Sequence, residues 1–264
     1  MEQGFSFASV VLSYFLVGGG LFSGMLIAGL AKVESIYVVY MLMAAGAFVG
    51  GFVSARASRG STVLEPAIGA IALIGTVVGL AAGTEIGKFM WHVSSDGTIK
   101  FIALIGGVAG GGAIAGAYIS EKTFGEATLS SGPWIVYCAL AAFGSCMITT
   151  VLGTVLVAGN STAEGAGVDA DALAKMLLAG LAGGCVIAGI AAGASARARP
   201  LGAAFLGGAL GTAGFAMLIA QTATGGHGDA DSAAVIGVFA GGGGILSFLG
   251  AALGWAVIGK KRAG

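Results

Sequence analysis

The sequence predicts an all-α protein, a polytopic transmembrane bundle of about eight helices built as a 4+4 parallel repeat. Three observations predict it. First, 57% of the 264 residues are hydrophobic and only 9% are charged, with a mean hydropathy of +0.98. A soluble globular chain carries about 25% charged residues, so a soluble domain is excluded. Second, eight stretches are long and apolar enough for a bilayer core about 30 Å thick, which needs roughly 20 residues per helix. Third, a Ser-Ala-Arg motif followed by Pro recurs in both halves. Glycine, at 51 residues, is far above the usual share of about 7%. These glycines have no three-residue period and Pro numbers only 3, so neither collagen nor a solvated low-complexity chain fits.

The first segment, Ala8 to Leu30, follows a stretch with Glu2 as its only charge. Without a basic region before it, the segment reads as a retained helix rather than a cleaved signal. Ile36 to Val53 follows the joint AKVES and leads into SARASRG. Pro66 to Met90 opens on proline and carries glycines four apart; Ile99 to Ile119 holds GGVAGGG. Pro133 to Ala158 bears a hydroxyl stripe, and Ala172 to Ala192 ends near the second Ser-Ala-Arg. Leu201 to Thr222 follows Pro200, and Ser232 to Gly259 contains GGGG before a basic tail. No joint between them is long enough for a soluble domain.

Twelve basic and twelve acidic residues balance, which leaves no excess to attract nucleic acid. Their distribution sets topology. Arg56, Arg59, Lys122, Arg197, Arg199, Lys260, Lys261 and Arg262 fall on one side, eight of the twelve Lys and Arg, while Glu164, Asp169, Asp171, Asp229 and Asp231 fall opposite. The bias of Lys and Arg toward cytoplasmic loops puts both termini inside a cell membrane, expected to be a bacterial inner membrane. Arg56, Arg59, Arg197 and Arg199 either fix that topology or grip anionic lipid headgroups.

Ser54, Ala55 and Arg56 pair with Ser195, Ala196 and Arg197, and Pro66 with Pro200. This divides the chain into residues 1–127 and 128–264. An even number of spans per unit keeps both units in one orientation, related by an axis along the membrane normal.

Transmembrane helices associate through close packing, and glycine every fourth residue makes a flat groove. Gly75, Gly79, Gly83 and Gly87 on the third helix are expected to touch a neighbour. Gly46 with Gly50, Gly106 with Gly110, Gly107 with Gly111, Gly112 with Gly116, Gly180 with Gly184, Gly207 with Gly211 and Gly250 with Gly254 share the spacing. Gly106, Gly110 and Gly111 on the fourth helix and Gly241, Gly242 and Gly243 on the eighth occupy matching places. They either form a central site of interrupted helices or pack where those helices meet on the axis.

No ionisable residue falls mid-segment, which argues against proton coupling and against the proteolipid rings of rotary ATPases, which need a mid-helix carboxylate. Glu65 precedes Pro66 at a segment boundary, and Glu85 is spaced to pair with Lys88. Ser145, Thr149, Thr150 and Thr154 either bond within the bundle or line a path for a small neutral solute. Cys138, Cys146 and Cys185 lack metal or disulfide spacing and read as small packing residues. His227, Asp229 and Asp231 supply too few ligands for a metal, as does His92, so no metal or cofactor is expected. Ser54 and Ser195 have no acid or base partner, so no enzyme is expected.

The run Gly50-Gly51-Phe52-Val53-Ser54-Ala55-Arg56-Ala57, then Gly60, Pro66 and Gly69, resembles a pattern in small four-helix, glycine-rich bacterial membrane proteins of unknown function. The second half departs from it, with Ala188 and Gly189 near the double glycine and a shorter joint. The resemblance implies a tandem-duplicated relative of such units and no activity. The expected role is that of a non-enzymatic structural or assembly subunit, self-associating or held among other membrane subunits. The alternative is a channel or facilitator for a small neutral solute or lipid, running between the fourth and eighth helices.

Overall fold

Backbone polar groups in a bilayer must be satisfied within the segment, so helices are the outcome for this composition. A computed structural model describes residues 5–58, 63–83, 95–124, 133–164, 170–196, 200–224 and 230–259. They form α1 (Phe7–Leu30), α2 (Ile36–Ala57), α3 (Leu64–Gly83), α4 (Ser95–Phe124), α5 (Trp134–Glu164), α6 (Ala170–Ser195), α7 (Leu201–Thr224) and α8 (Ala230–Gly254). A π-helical turn, Trp255–Gly259, continues α8. No strand occurs among the described residues. Seven helices are long and apolar enough to cross a membrane; α3 offers a shorter apolar stretch, Leu64–Thr76, among the described residues. The chain is therefore a multi-pass membrane protein in a lipid bilayer.

Several joints prove shorter than the sequence suggests. The α4 helix continues through Glu121, Lys122 and Phe124, and α5 runs on to Glu164, absorbing polar residues expected in loops. Ser6 caps α1 by accepting from the Ser9 N–H at 3.4 Å.

In the first half α1 packs on α2 and α3, α4 packs on the same two, and the diagonals scarcely touch. The second half repeats this ring, with α5 and α8 each packed on α6 and α7. The halves join along α1 and α5, assisted by α1 against α6. Leu12, Leu16, Val17 and Leu21 of α1 are all buried, which makes α1 the central helix of the fold.

Two expectations are corrected. A β-carbon placed on Gly75, Gly79 or Gly83 would meet nothing within 4 Å among the described residues, so these glycines do not pack against another described helix. The face that α3 buries carries Gly69, Ala70 and Leu73 instead, about 130° round the helix from the glycine row. Gly87 lies outside the described residues. The second correction concerns α4 and α8, which belong to the far sides of their own rings and are not packed on each other. Gly107, Gly111, Gly241 and Gly242 have open space, Gly106 and Gly110 meet only the tip of Ile74, and Gly243 lies against Thr212. These residues converge on no common site, and both α4 and α8 run through their glycines as continuous helices.

Candidate functional site

Where a glycine faces another backbone, helices approach closer than the 8 to 10 Å normal for larger side chains. The seam between the halves is such a place. A β-carbon on Gly19 would stand 2.8 Å from the Leu140 carbonyl oxygen and 3.1 Å from the Gly144 Cα. One on Gly144 would meet the Phe15 carbonyl oxygen and lie 2.9 Å from the Gly19 Cα. The contact is reciprocal under a single shift of 125 residues, Gly19 to Gly144 and Phe15 to Leu140. Reciprocal contacts of this kind are what a twofold axis produces.

Other contacts recur with constant shifts. Gly112 on Ala44, Gly116 on Phe48 and Gly51 on Ala113 correspond to Gly250 on Val186, Gly254 on Ile190 and Gly193 on Ala251, with α2 to α6 shifted by 142 residues and α4 to α8 by 138. Gly69 on Ser13 and Tyr14 corresponds to Gly207 on Cys138 and Ala139. Ser54 therefore matches Ala196, one residue from the Ser195 that motif matching chose.

The antiparallel pairs break this likeness. In α1 and α2, Gly20 and Gly46 face each other's backbones and Gly24 lies on Leu42. The α5 residues matching Gly20 and Gly24 are Ser145 and Thr149, whose side chains stand between that helix and Gly180 and Gly184 of α6. Conversely, α7 and α8 close tightly where Gly243 meets Gly208 and Thr212, whereas Ile105, Ala70 and Ile74 occupy the matching places in α4 and α3. Each half thus has one tight and one loose antiparallel pair, in opposite positions.

The hydroxyl stripe of α5 is spent inside the bundle. Ser145 Oγ donates to the Ala142 carbonyl at 2.8 Å, Thr150 Oγ1 to Cys146 at 2.9 Å, and Thr149 Oγ1 reaches Gly180 of α6 at 3.4 Å. Nothing is described of the Thr154 side chain.

A buried polar cluster ties the start of α1 to the turn between α2 and α3. Glu65 is fully buried; its carboxylate accepts from the Ser6 N–H at 2.6 Å and from the Ser58 hydroxyl. Ser13 donates to the Ser9 carbonyl at 2.6 Å and meets the Ser54 hydroxyl. The carboxylate satisfies backbone that would otherwise be orphaned at a helix start, which is a structural task. Sequence reasoning placed Glu65 at a boundary without a partner; the signal was three serines, Ser6, Ser9 and Ser13, on one face of α1.

Arg56 is the one member of the predicted arginine set within the described residues, because Arg59, Arg197 and Arg199 lie outside them. Its guanidinium sits 5.2 Å from the centre of the Phe124 ring, and its Nη1 is buried with no hydrogen-bond partner among the described residues. A buried donor on a cation calls for an acceptor, and an anionic headgroup is one available in a bilayer. The three cysteines are free and buried, as packing residues are. Glu85, Lys88, His92, His227 and Asp229 lie outside the described residues. No cluster of three or more metal-ligating side chains occurs among the described residues. No family model, curated protein or solved structure matches the chain.

Proposed function

We propose that this chain is two fused four-helix units, residues 1–127 and 128–264, acting as a non-enzymatic structural or assembly subunit in a membrane. The observation that carries this reading is the seam of α1 on α5. A route for solute between two such units would run along their axis, where the Gly19 and Gly144 backbones stand in contact. The recurrence of the packing contacts at constant shifts supports the tandem repeat, and with it the resemblance to small four-helix bacterial proteins. The charge bias supports both termini on the cytoplasmic side of an inner membrane. Gly75, Gly79 and Gly83 leave a flat outer surface on α3, which suits packing against a second copy in lipid.

The test is energy transfer between donor- and acceptor-labelled copies in liposomes of increasing protein density. Transfer that rises saturably with density, and drops for Gly79→Leu, is the expected result. Absence of association at every density, together with flux of a small neutral solute through the same liposomes, would favour the facilitator reading and overturn this one.

A further inference from the structure

The second half contains a cleft of about 180 Å³ whose lining includes Cys146, Cys185, Thr212, Phe239, Gly243 and Leu246. Leu178 and Val238 also line it, both exposed and both within membrane-spanning stretches of α6 and α8, so the cleft opens sideways. The cleft has a geometric cause. The α6 and α8 helices touch backbone to backbone at Gly189, Gly193, Gly250 and Gly254, all toward their C-terminal ends, so the N-terminal halves diverge.

The first half shows what fills this space when it is not needed. Under the shifts of 125, 142 and 138 residues, Cys146, Cys185, Thr212, Gly242 and Gly243 match Leu21, Met43, Ile74, Leu104 and Ile105. All five positions are smaller in the second half. The loss at these five outweighs the gain at Leu181 and Leu246, which are larger than the matching Val39 and Val108, and leaves a space of a size that close-packed interiors rarely hold. Water is a poor occupant. The Thr212 hydroxyl is engaged with the Gly208 and Phe239 carbonyls, each at 2.8 Å, and the remaining lining is apolar or thiol.

We propose that the cleft binds one hydrocarbon chain, entering sideways from the bilayer between α6 and α8. If a methylene takes about the volume of a water molecule, about 30 Å³, the space holds about six chain carbons. A phospholipid acyl chain and a polyisoprenoid share this chemistry, and both can reach a lateral mouth. The thiols of Cys146 and Cys185 lie along the path and mark it.

The test uses the full chain in lipid nanodiscs with two probes, a phosphatidylethanolamine carrying a diazirine midway along one acyl chain and a polyprenyl phosphate carrying one near its tail. After irradiation, adducts are mapped by mass spectrometry. The cleft is expected to be labelled at Cys146, Cys185 or Phe239, saturably and in competition with unlabelled lipid, above the lipid-facing controls Met41 and Ile71. The matching residues Leu21, Met43 and Ile74 should stay unlabelled. Installing the first-half residues, Cys146→Leu with Thr212→Ile, should lose cleft adducts while Met41 and Ile71 keep theirs. Cys185→Met gives the same reading should the double variant not fold. Labelling by one probe alone identifies the source of the chain. Cleft labelling that is absent, or that neither saturates nor responds to filling, overturns the proposal.

Discussion

Gly19→Ala and Gly79→Ala are the same chemical change in the same medium, and the structure gives them opposite signs. A β-carbon at Gly19 stands 2.8 Å from the Leu140 oxygen, whereas ordinary contact begins near 3.4 Å. Both obstructing groups are backbone, so no side chain can swing aside, and α1 and α5 must part by about 0.6 Å. A gap of that size forfeits a quarter to a half of each dispersion contact of about 0.1–0.2 kcal/mol, which over roughly twenty to thirty atom pairs gives about 0.5–3 kcal/mol. That range overlaps the usual cost of overpacking, about 1–3 kcal/mol. Gly79→Ala meets nothing within 4 Å and removes a helix-propensity deficit of about 1 kcal/mol. The assay is unfolding in mixed micelles by titration with dodecyl sulfate, followed by far-ultraviolet circular dichroism at low protein density. Gly19→Ala should unfold earlier than the parent, Gly79→Ala at the same point or later, and Gly79→Leu close to the parent. A parent-like Gly19→Ala beside a destabilised Gly79→Ala would refute the placement of both helices.

Glu65→Ala orphans the buried Ser6 N–H and should cost about 1–3 kcal/mol, with Glu65→Gln milder because an amide oxygen can still accept; thermal retention of folded protein in detergent measures this. Gly116→Ala and Gly254→Ala, pressed against Phe48 and Ile190, should destabilise by similar amounts, about 1–3 kcal/mol each. A large difference in the same unfolding assay would deny the equivalence of the two rings. Anionic lipid should raise the melting temperature of the parent more than that of Arg56→Gln, in which the buried unpaired Nη1 is gone. Equal shifts would leave Arg56 to topology alone.

The apolar stretches and short joints made the eight helices readable, because hydrocarbon thickness dictates length whatever the packing. Which face of a helix turns inward was harder to read. Gly46 with Gly50 and Gly75 with Gly79 share one spacing, yet the first pair lies on α1 and the second on open space. Spacing describes a helix surface but not the presence of a neighbour. The better signal on α3 was Gly69, Ala70 and Leu73, flanked on the opposite side by the large exposed Ile71. The centre was missed for a related reason. GGVAGGG and GGGG drew attention to α4 and α8, while Gly18-Gly19-Gly20 and the serines of α1 marked the helix that is buried on most sides. The Ser-Ala-Arg match was one residue out because a three-residue identity in alanine-rich sequence constrains register less than the glycine-to-carbonyl contacts do. The cleft was not legible at all: it arises from the difference between five pairs of positions, whose correspondence only the packing fixes.

The opposed tight and loose pairs have a consequence for heredity. Two separate copies of one four-helix chain, meeting at the same seam, would carry every substitution twice. Replacing Gly20 and Gly24 by Ser and Thr would then loosen both rings together, and hollowing one ring would hollow its twin. A single continuous chain escapes that obligation: Ser145 and Thr149 open one ring while Gly20 and Gly24 keep the other shut. One ring is thereby free to drift toward a new use while its neighbour keeps the assembly standing.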